Sequence, residues 1–160
     1  MSVDTTLFVF VYGTLKSGGK YHDAYCKGIL ESKAAWVWGR LFDTGLGYPT
    51  IEIPQSSILA DGSSDRARDS ELSGVVIKPE TVRVPSGFGR VQGELQTYSD
   101  FQSVLTRFDE LEEFTPEGPS PYRRVLVPVY CEDFIVSAWT YVRTELLECT
   151  QEITDGIWRI

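Results

Sequence analysis

Leu7-Phe8-Val9-Phe10-Val11-Tyr12 is an unbroken apolar run of β-branched and aromatic residues, and it predicts a buried central strand. It ends in the turn-rich segment Gly13-Thr14-Leu15-Lys16-Ser17-Gly18-Gly19. Tyr21 to Leu30 is weakly helical, with Tyr21, Ala24, Tyr25 and Gly28 on one side. Ala35 to Asp43 reads as a strand, followed by a turn from Gly45 to Pro49. Val91 to Thr97 reads as another strand. Its Val-x-Gly-charged-Leu pattern echoes Val37 to Leu41, as equivalent strands of a barrel would. A glycine inside a strand marks a bend or the close approach of another backbone. Tyr122 to Cys131 and Asp133 to Arg143 predict two strands joined tightly at Glu132-Asp133. Pro128 puts the first of them at an edge or on a bulge. Between Pro54 and Arg90 the pattern is weak. Gly62 to Ser70 is polar without period and predicts an exposed loop, and Leu72 to Lys78 a short strand. Leu146 to Ile160 is a tail with no firm reading. A strand-rich chain with few βαβ units points to the α+β class, with a mostly antiparallel or mixed, closed sheet.

The one strong helical pattern runs from about Ser99 to Phe114. Ser99 with Gln102 three residues on predicts a capping box. At about 100° per residue, Phe101, Val104, Leu105, Phe108 and Leu111 fall within about 120° of arc. Glu112 falls inside that arc and Asp109 near its edge, whereas Glu110 and Glu113 point away. Glu112 therefore has to pair, hydrogen-bond or raise its pKa. A carboxyl group of raised pKa is what general acid–base chemistry near neutrality requires. Fraying of the helix end, which would turn Glu112 into solvent, is the alternative.

Composition narrows the function classes. The 160 residues suit one domain over 1–160, with an extended loop at about 54–90. A net charge of −8 argues against nucleic acid, which needs a basic stripe, and against anionic membrane surfaces. The N-terminal Met1 to Thr6 is too short and polar for a signal peptide, and Leu7 to Val11 is too short to span a bilayer. Cys26, Cys131 and Cys149 form no disulfide or zinc spacing, so free thiols in a reducing cytoplasm are the simplest reading. His22 is the single histidine, which excludes His-rich metal ligation. No G-x-S-x-G elbow is present.

Gly13 to Lys20 approaches a phosphate loop. A second glycine displaces the lysine, however, and Tyr21 stands where a magnesium-binding hydroxyl is needed. A more modest reading is a nest of backbone N–H groups for a carboxylate or oxyanion. On its own, Gly13 is better explained by a tight turn.

Together the pieces become specific. Tyr12-Gly13-Thr14-Leu15 after a strand, Val37-x-Gly39-x-Leu41 with Tyr48-Pro49, Val91-x-Gly93-Glu94-Leu95, Phe108-Asp109-x-x-Glu112 and Tyr122-Arg123-Arg124-Val125 follow in order. This set resembles the γ-glutamylcyclotransferase-like family, nearest its γ-glutamylamine cyclotransferase and AIG2-like branch. The resemblance implies a small mixed β-barrel flanked by helices. It implies a catalytic glutamate at Glu112 and a glutamyl-binding loop at Tyr12, Gly13, Thr14 and Leu15. It also implies release of 5-oxoproline from a small-molecule γ-glutamyl substrate, with no metal and no cofactor. The departures are Phe108 where leucine is usual, Glu113 where glycine often follows the catalytic residue, and the long 54–90 segment.

Further pocket candidates are Tyr48, Tyr141 and Arg123. One of Arg123 and Arg124 is placed to pair with Asp109 or Glu112, although strand arginines are usually solvated. His22 either lines the entrance or lies on the surface, and Trp36, Trp38, Trp139 and Trp158 are core candidates. A non-catalytic module of the same fold that binds a small carboxylate or a protein is the rival to the enzyme. A nucleotide-binding protein is the third reading. The substrate's leaving group and the oligomeric state are open.

Overall fold

The computed structural model describes residues 5–145 and 150–160, so Cys149 lies outside the described residues. Strand β1 (Leu7–Val11) is the central strand that its composition predicts. Beside it run β6 (Gly89–Tyr98) on one side and β8 (Ile135–Arg143) on the other. β2 (Ile29–Asp43) pairs with β6, and β7 (Tyr122–Tyr130) pairs with β8. A bridge between Trp36 and Tyr130 joins β2 to β7 and closes the five strands into a barrel. The β1–β8 pairing is parallel and the others are antiparallel, so the barrel is mixed.

Alternation along the strands divides the core in two. Phe10, Val37, Val91, Leu95, Val125, Val127, Val129, Val136 and Ala138 pack together in one buried cluster. Leu7, Val9 and Val11 belong to the second, where they meet Val104, Leu105 and Phe108 of helix α3 (Phe101–Leu111). Each such fully buried aliphatic or Phe side chain contributes roughly 1.5–3 kcal/mol. Gly93 answers the question its place in a strand raises. A Cβ there would stand 2.2 Å from the Val11 carbonyl oxygen, so β1 and β6 can approach only with glycine at this position.

Several elements differ from the sequence expectations. β2 begins at Ile29, six residues before Ala35, because pairing with β6 extends it through the exposed Glu31 and Ser32. Beyond the barrel it continues into pairs with β3 (Pro49–Glu52) and β9 (Gln151–Ile153), the one strand among the described residues of the tail. The weak helical pattern after the loop gives only α1 (His22–Tyr25). Helix α3 is capped by Asp100, which accepts from the Ser103 amide at 3.2 Å, so the Ser99–Gln102 box does not form. Pro128 falls between the pairing of β4 (Ala60–Asp61) at Val125 and Leu126 and the bridge at Tyr130, a gap where no ladder donor is needed.

The largest difference lies in the 54–90 segment. Polar Gly62 to Ser70 does not form an exposed loop: it contains most of α2 (Arg66–Leu72), capped by Asp65, with Asp69 and Ser70 fully buried. β5 (Val76–Ile77) then pairs with β8. No helix among the described residues is long and apolar enough to cross a membrane.

Candidate functional site

The chain leaves β1 at Val11, and the next four residues turn along one wall of a cavity of about 200 Å³. Tyr12, Gly13, Thr14 and Leu15 all line it, with Tyr48 and Pro49 beside them and Glu112, Tyr122, Tyr141 and Arg143 opposite in sequence. Pro49 explains Gly13. A Cβ on Gly13 would come within 2.6 Å of the Pro49 ring, so any larger residue would push the two walls apart.

The loop is held from outside the cavity. The Glu94 carboxylate on β6 accepts from the Ser17 amide at 2.9 Å and from the Ser17 and Ser32 hydroxyls at 3.0 Å each. The Leu15 carbonyl accepts from Gln96 Nε2 at 3.1 Å and lies 2.9 Å from His22 Nδ1, which acts as donor there. His22 is thus half-buried under the loop and fixes it, a role that neither of its expected positions included. Among the described residues no carbonyl or side chain accepts from the amides of Gly13, Thr14 and Leu15. Three consecutive N–H groups with no protein acceptor on a cavity wall are a ready anion site.

Glu112 caps the C-terminal end of α3. Its own amide still donates to the Phe108 carbonyl at 2.9 Å, so the helix end does not fray. The side chain lines the cavity and is half-buried, while Glu110 and Glu113 are exposed, as the helical phase predicts. Burial pushes its carboxyl from 4.5 up to about 7, with no cation or hydrogen-bond donor among the described residues acting against it. The negative end of the α3 dipole works in the same direction. Tyr12 and Tyr122 sense this acid. Burial raises the Tyr12 phenol well above its usual range, with Glu112 the next cause, and burial followed by Glu112 pushes Tyr122 to about 12. Both phenols therefore stay protonated as donors near neutrality, and Tyr12 already donates to the Tyr141 carbonyl at 2.6 Å.

Behind the cavity lies a second group of charges. Arg124 is fully buried and reaches both oxygens of Asp109 at 2.6 Å, Asp69 at 2.5 Å and the Ser63 carbonyl at 2.9 Å. Tyr141 donates to Asp109 at 2.5 Å while its ring lines the cavity. Arg123 is not part of this group or of the cavity. Successive strand residues face opposite ways, and Arg123 turns outward to Asp61 at 2.6 Å. The candidate pocket role of Arg123 is therefore corrected, and the inward arginine is Arg124. Sequence reasoning also missed Arg143 as a lining residue. Its spacing of two from Tyr141 on one strand was the available signal.

A closed mixed barrel thus carries, on one cavity, a loop of free amides at the end of its central strand and an acid at a helix end. The chain belongs to the gamma-glutamyl cyclotransferase, AIG2-like family, whose model matches residues 9–73 and 70–160. It is 29% identical over 146 residues to the gamma-L-glutamyl-butirosin B gamma-glutamyl cyclotransferase of Niallia circulans, covering 88% of this chain and 70% of that protein. Family and relative together support γ-glutamyl cyclotransferase activity in general terms. Two solved structures share the fold. YkqA of Bacillus subtilis superposes with a TM-score of 0.54 at 19% identity over 96% of this chain, which spans only 39% of YkqA. The uropathogenic E. coli-specific protein c4763 gives 0.53 at 18% identity, over 97% of this chain and 94% of that one.

Proposed function

We propose that this protein releases 5-oxoproline from a γ-glutamyl amide, with Glu112 as the proton carrier. The substrate's α-amine attacks its own γ-carbonyl. A bond forms between that nitrogen and the γ-carbon, and the original amide C–N bond breaks to free an amine. Because nucleophile and electrophile belong to one molecule, the site has only to hold a folded conformer. The amides of Gly13, Thr14 and Leu15 would hold the α-carboxylate or the developing oxyanion. Glu112 as carboxylate takes the proton that the α-amine loses as its nitrogen joins the γ-carbon, and as carboxylic acid returns it to the leaving nitrogen. A group titrating at about 7 is populated in both forms near neutral pH. The same reading keeps the enzyme in a reducing cytoplasm, where Cys26 and Cys131, both unbridged, would persist as thiols.

The observation that carries this reading is the unpaired, desolvated Glu112 carboxyl on the cavity that the Tyr12–Leu15 loop lines. The test is 5-oxoproline release from a panel of γ-glutamyl amines and γ-glutamyl amino acids. Glu112→Gln is expected to keep the far-UV circular dichroism of the native chain and to lose roughly 10³-fold or more in turnover. A variant with near-native turnover removes Glu112 from the chemistry. No release from any member of the panel by the native chain favours the non-catalytic module.

A further inference from the structure

The cavity of about 200 Å³ is smaller than the roughly 300–1,000 Å³ that encloses a drug-sized ligand. It suits a glutamyl group and leaves the rest of a γ-glutamyl compound at the rim. Among the described residues three charged side chains line the space: Glu112, Glu113 and Arg143. Arg143, half-buried, is the single cation among those lining residues. It ends β8, directly opposite Tyr122 on β7. Its guanidinium carbon lies 5.3 Å from the centre of the Tyr122 ring, and Nε donates to the Glu145 carbonyl at 3.2 Å. The parallel pairing of Val9 with Trp139 brings β1 and β8 out at the same end of the barrel. Arg143 therefore stands on the same mouth as the Gly13–Leu15 amides, with the Tyr122 ring beneath it.

We infer that Arg143 is the subsite for a carboxylate carried by the released amine, so that the preferred substrates are γ-glutamyl amino acids and not γ-glutamyl conjugates of cationic or neutral amines. This rests on the cyclotransferase reading above. If the loop amides take the glutamyl α-carboxylate, the guanidinium is left for a second anion beyond the scissile bond. An aromatic face under a guanidinium fixes its plane, and the planar fork matches a carboxylate where an ammonium would not. Glu113, exposed on the same rim, repels further negative charge. The released amino acid is accordingly one without an acidic side chain.

The test uses a matched pair, γ-glutamylglycine and γ-glutamylglycinamide, which differ only in the distal carboxylate. Their binding to the full chain carrying Glu112→Gln is measured by calorimetry, so that no turnover intervenes. γ-Glutamylglycine is expected to bind about tenfold or more tightly. Adding Arg143→Gln brings that ratio close to one, and Arg143→Lys restores part of it. Equal binding of the two compounds before Arg143 is changed, no binding of either, or equal weakening of both by Arg143→Gln overturns the proposal. The last outcome assigns Arg143 to the glutamyl carboxylate instead. Release of 5-oxoproline by the native chain is scored separately. No release with the binding ratio intact removes the reaction and leaves the subsite, whereas release with a ratio of one removes the subsite alone.

Discussion

Asp109 and Glu112 sit three residues apart near the end of α3, yet the fold treats them oppositely. Asp109 is 6% exposed and receives Arg124 at 2.6 Å and the Tyr141 hydroxyl at 2.5 Å. Glu112 keeps a surface toward the cavity and meets no cation among the described residues, and burial lifts its carboxyl to about 7. Both acids are taken out of bulk water, and only one is compensated. Compensation makes Asp109 a structural strut between α2, α3 and β7. Lack of it makes Glu112 a group that can change protonation state under ordinary conditions, which is what acid–base work needs. Tyr141 touches both sides of this divide, with its hydroxyl on Asp109 and its ring on the cavity.

The comparison breaks most severely if Asp109 loses its compensation. Arg124→Met leaves Asp69 and Asp109 buried without their shared cation. Removing one partner of a buried ion pair typically costs about 3–5 kcal/mol. We expect a loss toward that size in urea unfolding at pH 7, with Arg66 still 3.4 Å from Asp109 and Arg68 3.0 Å from Asp69, and a smaller loss for Arg124→Lys, which keeps a cation. Equal losses from the two substitutions would mean that missing packing against Phe114 and Trp139, over which the guanidinium lies at 4.9 and 5.6 Å, outweighs charge.

A smaller effect of opposite sign is expected at Glu112. Its folded pKa of about 7 lies above the 4.5 of an exposed glutamate, so between these values the unfolded chain has released a proton that the folded chain keeps. Glu112 thus subtracts nothing below about pH 4.5, and its cost to folding grows as pH rises to about 7 and stays constant above. The full cost is at most about 3–4 kcal/mol at 1.36 kcal/mol per pKa unit, less whatever water in the cavity screens. Glu112→Gln should therefore be more stable than the native chain at pH 8 and equal to it at pH 4. A native advantage at pH 8 would mean that Glu112 has a partner after all, and the contrast with Asp109 would collapse.

The legibility of this pair in the sequence follows the same physics. Glu112 was readable because helical phase is local: five apolar residues define a face, and one acid falls on it. The Tyr12–Leu15 loop was readable because an apolar strand ends abruptly in glycine. The fold class followed from strand count and from the ordered motifs. α2 was not readable. Its sequence Arg-Ala-Arg-Asp-Ser-Glu-Leu has almost no apolar face, and it packs through Asp69, whose burial depends on Arg124, 55 residues away. Sequence periodicity cannot show a polar face that is buried by a distant ion pair. The choice between Arg123 and Arg124 failed for a related reason. Strand alternation says that the two face opposite ways, but which way is inward depends on register with β8.

That choice gives the finest test of the contrast, at a pair of arginines instead of a pair of acids. Arg123 meets Asp61 at 2.6 Å, as short a contact as any Arg124 makes to Asp109, but the two side chains are 39% and 68% exposed. Distance alone would rank the two pairs as equals. Solvent screening and the entropy of holding two mobile side chains bring an exposed pair down to about 0–1 kcal/mol. Arg123→Ala should therefore shift the urea midpoint barely, within about 0.5 kcal/mol of native, and should leave 5-oxoproline release as it was, because Arg123 does not line the cavity. Raising salt from 0.05 to 0.5 M should erase even that difference, since the Debye length falls from roughly 14 Å to roughly 4 Å over this range. A loss above about 2 kcal/mol, persisting in high salt, would show that β4 is anchored to β7 through this pair, and that exposure does not separate the structural charges of this protein from its idle ones.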